Sequence, residues 1–161
     1  MNNPKYIIVH HTGGTDANPL ADTSHHTFEI VESWHLQKGW NGIGYNWFIE
    51  KNGAIKKGRD EKLDGAHTIG YNSQSIGICL AGNFDATLPT AEQTASLKKL
   101  LTEKMAEYKI PAENIVPHRN FANKTCYGNK LSEDWARKLV APIVESKEDI
   151  KKQIIALVNK L

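Results

Sequence analysis

The chain has 161 residues, of which 40% are hydrophobic and 24% charged, and its formal net charge is +2. The length is typical of one globular domain, and the composition excludes the disordered, collagen-like and coiled-coil classes. Because no run of about 18 apolar residues is present and the net charge is small, we expect neither membrane insertion nor a nucleic-acid partner.

The N-terminal third of the chain predicts a strand followed by a helix. A β-branched apolar run at residues 5–10 leads into a loop that begins with two glycines, which indicates a buried strand. Apolar residues then recur at helical spacing as far as Gly39, a residue typical of helix C-termini. This pattern predicts a helix over residues 24–38.

The middle of the chain predicts a hairpin, another buried strand and a long helix. Asn52-Gly53 is a dipeptide typical of tight hairpin turns, and it separates strand-like runs at residues 45–50 and 54–59. A further apolar run at residues 75–81 predicts a buried strand. Residues 90–93 form a capping box, which predicts the start of an amphipathic helix.

The C-terminal third predicts a short strand and two helices. The strand is expected at residues 115–117, and the next helix is expected to start at Ser132 and to be interrupted by Pro142. We expect residues 142–161 to form an amphipathic helix packed on a domain of residues 1–141. The predicted fold is α/β, a single domain whose central mixed sheet is flanked by helices, with this C-terminal helix as an appendage.

Three potential metal ligands lie at the ends of predicted elements. His10 ends the first strand, and His118 and Cys126 share the loop that follows the strand at residues 115–117. A catalytic zinc site usually takes three protein ligands and leaves the fourth position to water. A single histidine and cysteine at this spacing, however, are more often a coincidence than a metal site.

Short motifs in a fixed order provide the context that this spacing lacks. They are IIVHHT (7–12), WH (34–35), GW (39–40), GYNWFI (44–49), GR (58–59), GAH (65–67), GYN (70–72), SIGI (75–78), and His118 followed by KTC (124–126). In these motifs the chain resembles the zinc-dependent N-acetylmuramoyl-L-alanine amidases of the type-2 family. That family includes the phage lysozyme of amidase type and the animal peptidoglycan recognition proteins. The resemblance covers about residues 5–140.

The resemblance implies a zinc site and two catalytic residues. His10, His118 and Cys126 match the family's ligands, which implies one zinc ion per chain. Lys124 matches the active-site lysine, whose positive charge suits the stabilisation of an oxyanion. Tyr45 matches the active-site tyrosine, which either holds the attacking water or donates to the oxyanion.

One position departs from the family pattern. Many members continue the ligand cysteine with Pro-Gly, whereas Cys126 is followed by Tyr127 and Gly128. A proline would restrict the backbone at this point, so the rigidity of the loop is in question. The second cysteine, Cys79, lies within an apolar run and is predicted to be a buried thiol rather than a disulfide partner.

Other polar and aromatic residues have both a functional and a structural interpretation. His67 lies in a loop between glycines, where polar side chains often face ligands. We group it with Trp40, Tyr71 and Asn72 as substrate-binding candidates, because aromatic faces suit sugars and peptides. His35 is predicted instead to pack, hydrogen-bonded, on the apolar side of its helix.

Three functions are compatible with the sequence. The first is zinc-dependent hydrolysis of the amide between the lactyl group of N-acetylmuramic acid and L-alanine in peptidoglycan. The second is peptidoglycan binding without catalysis, and the third is a zinc peptidase or amidase acting on another amide. The complete set of matched residues favours the first. We expect a monomer that, lacking a visible secretory signal, is synthesised in the cytoplasm and acts on the bacterial cell wall after release or export.

Overall fold

The computed structural model, which describes residues 1–141, 151, 154–156 and 158, contains a five-stranded sheet. The strands are β1 (Tyr6–His11), β2 (Trp47–Ile49), β3 (Ile55–Lys57), β4 (Ser75–Leu80) and β5 (Ile115–Pro117). They lie in the order β3-β2-β4-β1-β5, and every neighbouring pair is parallel except the β2–β3 hairpin. The predicted α/β class with a mixed sheet is confirmed.

Within residues 1–141, three α-helices accompany the sheet: α1 (Phe28–Gln37), α2 (Ala91–Tyr108) and α3 (Trp135–Val140). Helix α1 begins later than predicted because Thr27 is its cap, with the Thr27 hydroxyl accepting from the Ile30 backbone N–H at 3.4 Å. Helix α2 has the predicted capping box, in which the Thr90 hydroxyl accepts from the Gln93 N–H at 3.0 Å.

Helix α3 also begins later than predicted, at Trp135 instead of Ser132. The carbonyls of Ser132 and Glu133 each accept a hydrogen bond from the hydroxyl of the buried Tyr127 at 2.9 Å. These residues therefore form a turn, held by Tyr127, before the helix begins. Short 3-10 helices at Ala112–Asn114 and His118–Asn120 flank β5.

The sheet separates two apolar layers. One layer packs against α2 and α3 and includes Ile7, Val9, Ile76, Ile78, Leu80, Leu97 and Leu101. The other is covered by α1 and includes Val31, Ile43, Phe48, Cys79 and Ala81. Because successive side chains of a strand point to opposite faces, Val9 contributes to the first layer whereas His10 faces the α1 side.

The predicted C-terminal helix lies almost entirely outside the described residues. Its packing on the domain, and the domain boundary after residue 141, stay predictions. Within the part of the chain that the structure describes, no helix combines the length and apolar character that crossing a membrane requires.

Candidate metal centre

The sheet topology brings His10 and His118 together at the carboxyl ends of two parallel strands. His10 lies near the end of β1, and His118 directly follows β5. The two strands are neighbours in register, with Val9 opposite Pro117, so the imidazole rings lie 4.4 Å apart between centroids. The carboxyl ends of strands are where open α/β sheets commonly bind ligands.

The Cys126 thiol completes a group of three converging donors. Its Sγ lies 3.7 Å from Nδ1 of His10, and one donor atom each from His10, His118 and Cys126 lies within 4.8 Å of the others. Nitrogen at about 2.0–2.1 Å and sulfur at about 2.3 Å from a tetrahedral zinc are separated by roughly 3.5 Å. The chemistry and spacing of these donors therefore fit one zinc ion.

The electrostatics of the three groups also fit a bound cation. Burial, followed by the neighbouring histidines, lowers the pKa of His10 well below its ordinary value, and burial followed by Lys124 lowers the pKa of His118. Burial raises the pKa of the Cys126 thiol to about 12. The imidazoles are thus neutral, the form that binds metals, and a divalent cation would provide the charge that a buried thiolate needs.

The adjacent histidine, His11, points to the opposite face of β1. Its Nδ1 accepts the backbone N–H of Phe84 at 3.0 Å, so its ring is engaged in a structural contact. Its own backbone N–H donates to Sγ of Cys126 at 3.4 Å. His11 thus contributes to the site through its main chain.

A cleft of about 690 Å³ opens in front of the three donors. Tyr45, Lys124, Trp40 and His67 line it together with the ligand residues. The Tyr45 ring packs against His10, with centroids 5.1 Å apart. Burial raises the pKa of the Tyr45 phenol well above its ordinary value, so this group is a hydrogen-bond donor at neutral pH.

His67 lies directly behind His10. Its Nδ1 is 3.1 Å from Nε2 of His10 and 3.0 Å from the Thr68 hydroxyl. The Asn72 side-chain oxygen accepts the backbone N–H groups of His67 and Thr68 at 2.9 and 2.8 Å. The His67 ring rests on Gly77, where a Cβ atom would overlap it. Asn72 therefore supports this loop from behind.

Tyr71 and Asn72 do not join the other predicted substrate-binding residues in the cleft lining. Tyr71 packs on Phe121 at 3.9 Å and against Tyr6 at 5.8 Å between ring centroids. His35 is hydrogen-bonded as predicted, since its Nδ1 accepts the Gly44 N–H at 3.1 Å.

Two charged residues that the sequence did not indicate, Asp85 and Arg119, hold the loop carrying Cys126. Asp85 lies in the loop that follows β4 and belongs to none of the sequence motifs. Arg119 is next to a ligand histidine, but adjacency alone does not indicate which carbonyls a guanidinium will reach. Only the folded loop reveals either contact.

Two comparisons with known proteins give an endolysin and an amidase. The endolysin of Escherichia phage T7 is 35% identical over 113 residues, which span 66% of this chain and 73% of that protein. The solved N-acetylmuramoyl-L-alanine amidase LysC from Clostridium intestinale URNW is 33% identical, with a TM-score of 0.70 over 80% of this chain and 79% of that one.

Similarity extends to a recognition protein. Peptidoglycan recognition protein-LE, solved in complex with tracheal cytotoxin, is 28% identical and has a TM-score of 0.66 over 81% of this chain and 78% of that one. The family model described as N-acetylmuramoyl-L-alanine amidase matches residues 1–129. The chain therefore belongs to the N-acetylmuramoyl-L-alanine amidase family.

Proposed function

We propose that the chain is a zinc-dependent amidase that hydrolyses the bond between the lactyl group of N-acetylmuramic acid and L-alanine in peptidoglycan. The observation that carries the proposal is the convergence of His10, His118 and Cys126 at a cleft that also contains Tyr45 and Lys124. The endolysin and amidase relatives support peptidoglycan as the substrate.

The donor set suits amide hydrolysis. Zinc held by these three residues would supply Lewis acidity, polarising a carbonyl and acidifying a water molecule. Two neutral imidazoles and one thiolate leave a net charge of about +1 at such a site. The Cys126 thiolate would be supported by the backbone N–H of His11, which lies 3.4 Å from Sγ.

In this proposal Lys124 and Tyr45 face the reacting bond and act as hydrogen-bond donors. Lys124 lines the cleft from the same loop as Cys126, so its ammonium group would stabilise the oxyanion that forms when the amide carbonyl is attacked. The protonated Tyr45 phenol would donate a hydrogen bond, either to the attacking water or to the oxyanion.

Of the four predicted substrate-binding residues, Trp40 and His67 line the cleft and are the proposed substrate contacts. Trp40 stacks on His35 with ring centroids 4.7 Å apart and an interplanar angle of 29°, and the Lys38 ammonium lies 5.7 Å from the Trp40 ring. This packing holds an aromatic face at the cleft, a surface suited to a sugar or peptide group.

The test is the chemistry of the products released from purified sacculi. Cleavage at the lactyl amide should expose new N-terminal L-alanine amino groups without new reducing sugar ends, and chelation should abolish the release until zinc is restored. Binding of sacculi without release would indicate a recognition module. New amino termini other than L-alanine would indicate hydrolysis of a different amide, and either result contradicts the proposal.

A further inference from the structure

The Cys126 loop is attached on one side to Asp85. One carboxylate oxygen accepts the Thr125 hydroxyl at 2.6 Å, and the other accepts the backbone N–H of Asn129 at 2.8 Å. A single carboxylate therefore binds the chain both immediately before and shortly after the ligand position. Hydrogen bonds to an ionised carboxylate are shorter and stronger than those between neutral groups.

Arg119 holds the same loop from the other side. Its guanidinium donates to the carbonyls of Gly128 at 2.7 Å and Leu131 at 2.9 Å. Its backbone N–H donates to the Cys126 carbonyl at 2.5 Å. Because Arg119 directly follows His118, one residue links two segments that each carry a metal-ligand candidate.

Close packing inside the loop limits its movement between these two attachments. The Tyr127 side chain, directly after the ligand candidate Cys126, is fully buried. Gly128 has a φ of +109° and lies against the backbone of Phe84, where a Cβ atom would overlap. The loop is thus anchored by Tyr127 in the core and pressed against a second loop at Gly128.

We infer that Asp85 and Arg119 are positioning residues that fix the Cys126 thiolate in the metal centre. The inference rests on the proposed function, because it requires His10, His118 and Cys126 to hold zinc. Residues that orient metal ligands without touching the metal typically change metal affinity about 10–100-fold when they are replaced.

The experiment measures zinc affinity by chelator competition, and the absorption spectrum after cobalt substitution, in the full chain. Asp85→Ala, Thr125→Val and Arg119→Lys should each weaken zinc binding by about 10–100-fold and alter the thiolate-to-cobalt band. A lysine keeps the charge of Arg119 but cannot donate to two separate carbonyls in the same fork.

A double variant and a matched control define the specificity of the effect. Thr125→Val should add little in the Asp85→Ala background, because both changes remove the same hydrogen bond. Thr102→Val removes a comparable hydroxyl contact, the 2.8 Å bond to the Lys98 carbonyl on α2. This control should leave zinc affinity and the cobalt spectrum unchanged.

Two results would overturn the inference in distinguishable ways. If the three loop variants melt at lower temperature but bind zinc and cobalt as the wild type does, the contacts serve folding alone and the inference is wrong. Thr125 is exposed, so Thr125→Val tests this point even if Arg119→Lys does not fold. If the wild type binds neither metal, the proposed function fails and the inference fails with it.

Discussion

The buried polar groups on the two faces of the sheet differ in whether they pair with opposite charges of the chain. On the α2 side the Glu61 carboxylate, in a residue only 7% exposed, accepts from the Trp47 indole at 2.5 Å, the Lys104 ammonium at 3.1 Å and the Tyr108 hydroxyl at 3.1 Å. Lys104 is also bonded to Glu107 at 2.8 Å. Each charged group of this cluster has an oppositely charged partner within the chain itself.

On the α1 side, the donors of His10, His118 and Cys126 converge on one another. In the described part of the chain, no salt bridge includes either histidine. Two imidazoles and a thiol that converge in this way suit a cation supplied from outside, which we propose is zinc. The comparison thus sets ionised groups that are paired within the chain against donors that converge at the proposed zinc site.

The largest expected effect comes from removing one donor of the group formed by His10, His118 and Cys126. Cys126→Ala removes the donor that carries negative charge, so zinc content should fall strongly and turnover on sacculi should fall by at least about 10²–10³-fold. Metal analysis and the product assay measure the two effects. Cys79→Ala, which removes the other thiol, is the control and should retain zinc. Full zinc content in Cys126→Ala would exclude the proposed ligand set.

The next effect separates chemistry from metal binding within the same cleft. Lys124→Ala and Tyr45→Phe each remove one donor facing the reacting bond, which typically costs about 10²–10³-fold in turnover. Zinc content and melting temperature should stay near those of the wild type. A variant with a normal rate would remove that residue from the mechanism.

Removing a partner from the cluster of Glu61, Lys104 and Glu107 should lower stability without affecting zinc binding. Lys104→Ala leaves the Glu61 carboxylate without its cation, and losing one partner of a buried ion pair costs about 3–5 kcal/mol in the free energy of unfolding. Denaturant unfolding measures this loss, while zinc content should not change. The double variant Glu61→Gln with Lys104→Met should recover much of it. Loss of zinc in Lys104→Ala would contradict the separation of the two faces.

The contribution of the same cluster to the free energy of unfolding depends on pH. Burial opposes the charge on Lys104, but the hydrogen bonds that its ammonium donates to Glu107 and Glu61 outweigh burial and raise the pKa of Lys104 above its ordinary value. A pKa raised in the folded state stabilises the protein fully below the unfolded lysine pKa of about 10.4. Unfolding free energy should therefore be lost as pH rises above that value. The loss should be smaller in the Glu61→Gln, Lys104→Met variant, which keeps only the contribution of buried groups such as Tyr45 and Cys79, whose pKa values are raised by burial.

The smallest expected effect concerns the predicted C-terminal helix, outside both clusters. Of its described side chains, Ile154 and Val158 are 56% and 60% exposed, so they contribute only part of the roughly 1.5–3 kcal/mol that full burial gives. We expect truncation after Ala141 to lower the melting temperature by about 2–4 °C and to leave zinc content unchanged. Normal melting combined with loss of activity on whole cells would instead identify a targeting element.

The parts of the fold that could be predicted from the sequence are those set by local signals. Asn52-Gly53 makes a hairpin through its own backbone preferences, and the Thr90 capping box uses neighbouring residues. The start of α1 was predicted wrongly: the apolar pattern begins only at Phe28, and the hydrogen bond from the Ile30 N–H to the Thr27 hydroxyl decides where the helix begins.

The metal-ligand candidates were found through family motifs, and their spacing alone was insufficient. Asp85 and Arg119 could not be found in the same way, because their contacts depend on how two loops meet. Asp85 bonds a residue 40 positions away, and any surface aspartate looks the same in sequence. Long-range polar contacts of this kind follow from the assembled fold and not from local preference.

The order of the strands has a consequence for how the protein is made. Strand β1 is the first to be synthesised, yet it pairs with β4 on one side and β5 on the other. A nascent chain cannot bring His118 beside His10 until β5 has left the ribosome, and the loop with Cys126 comes later still. Partial chains therefore cannot assemble the complete set of three donors, so the proposed zinc site can form only after residue 126 has been synthesised.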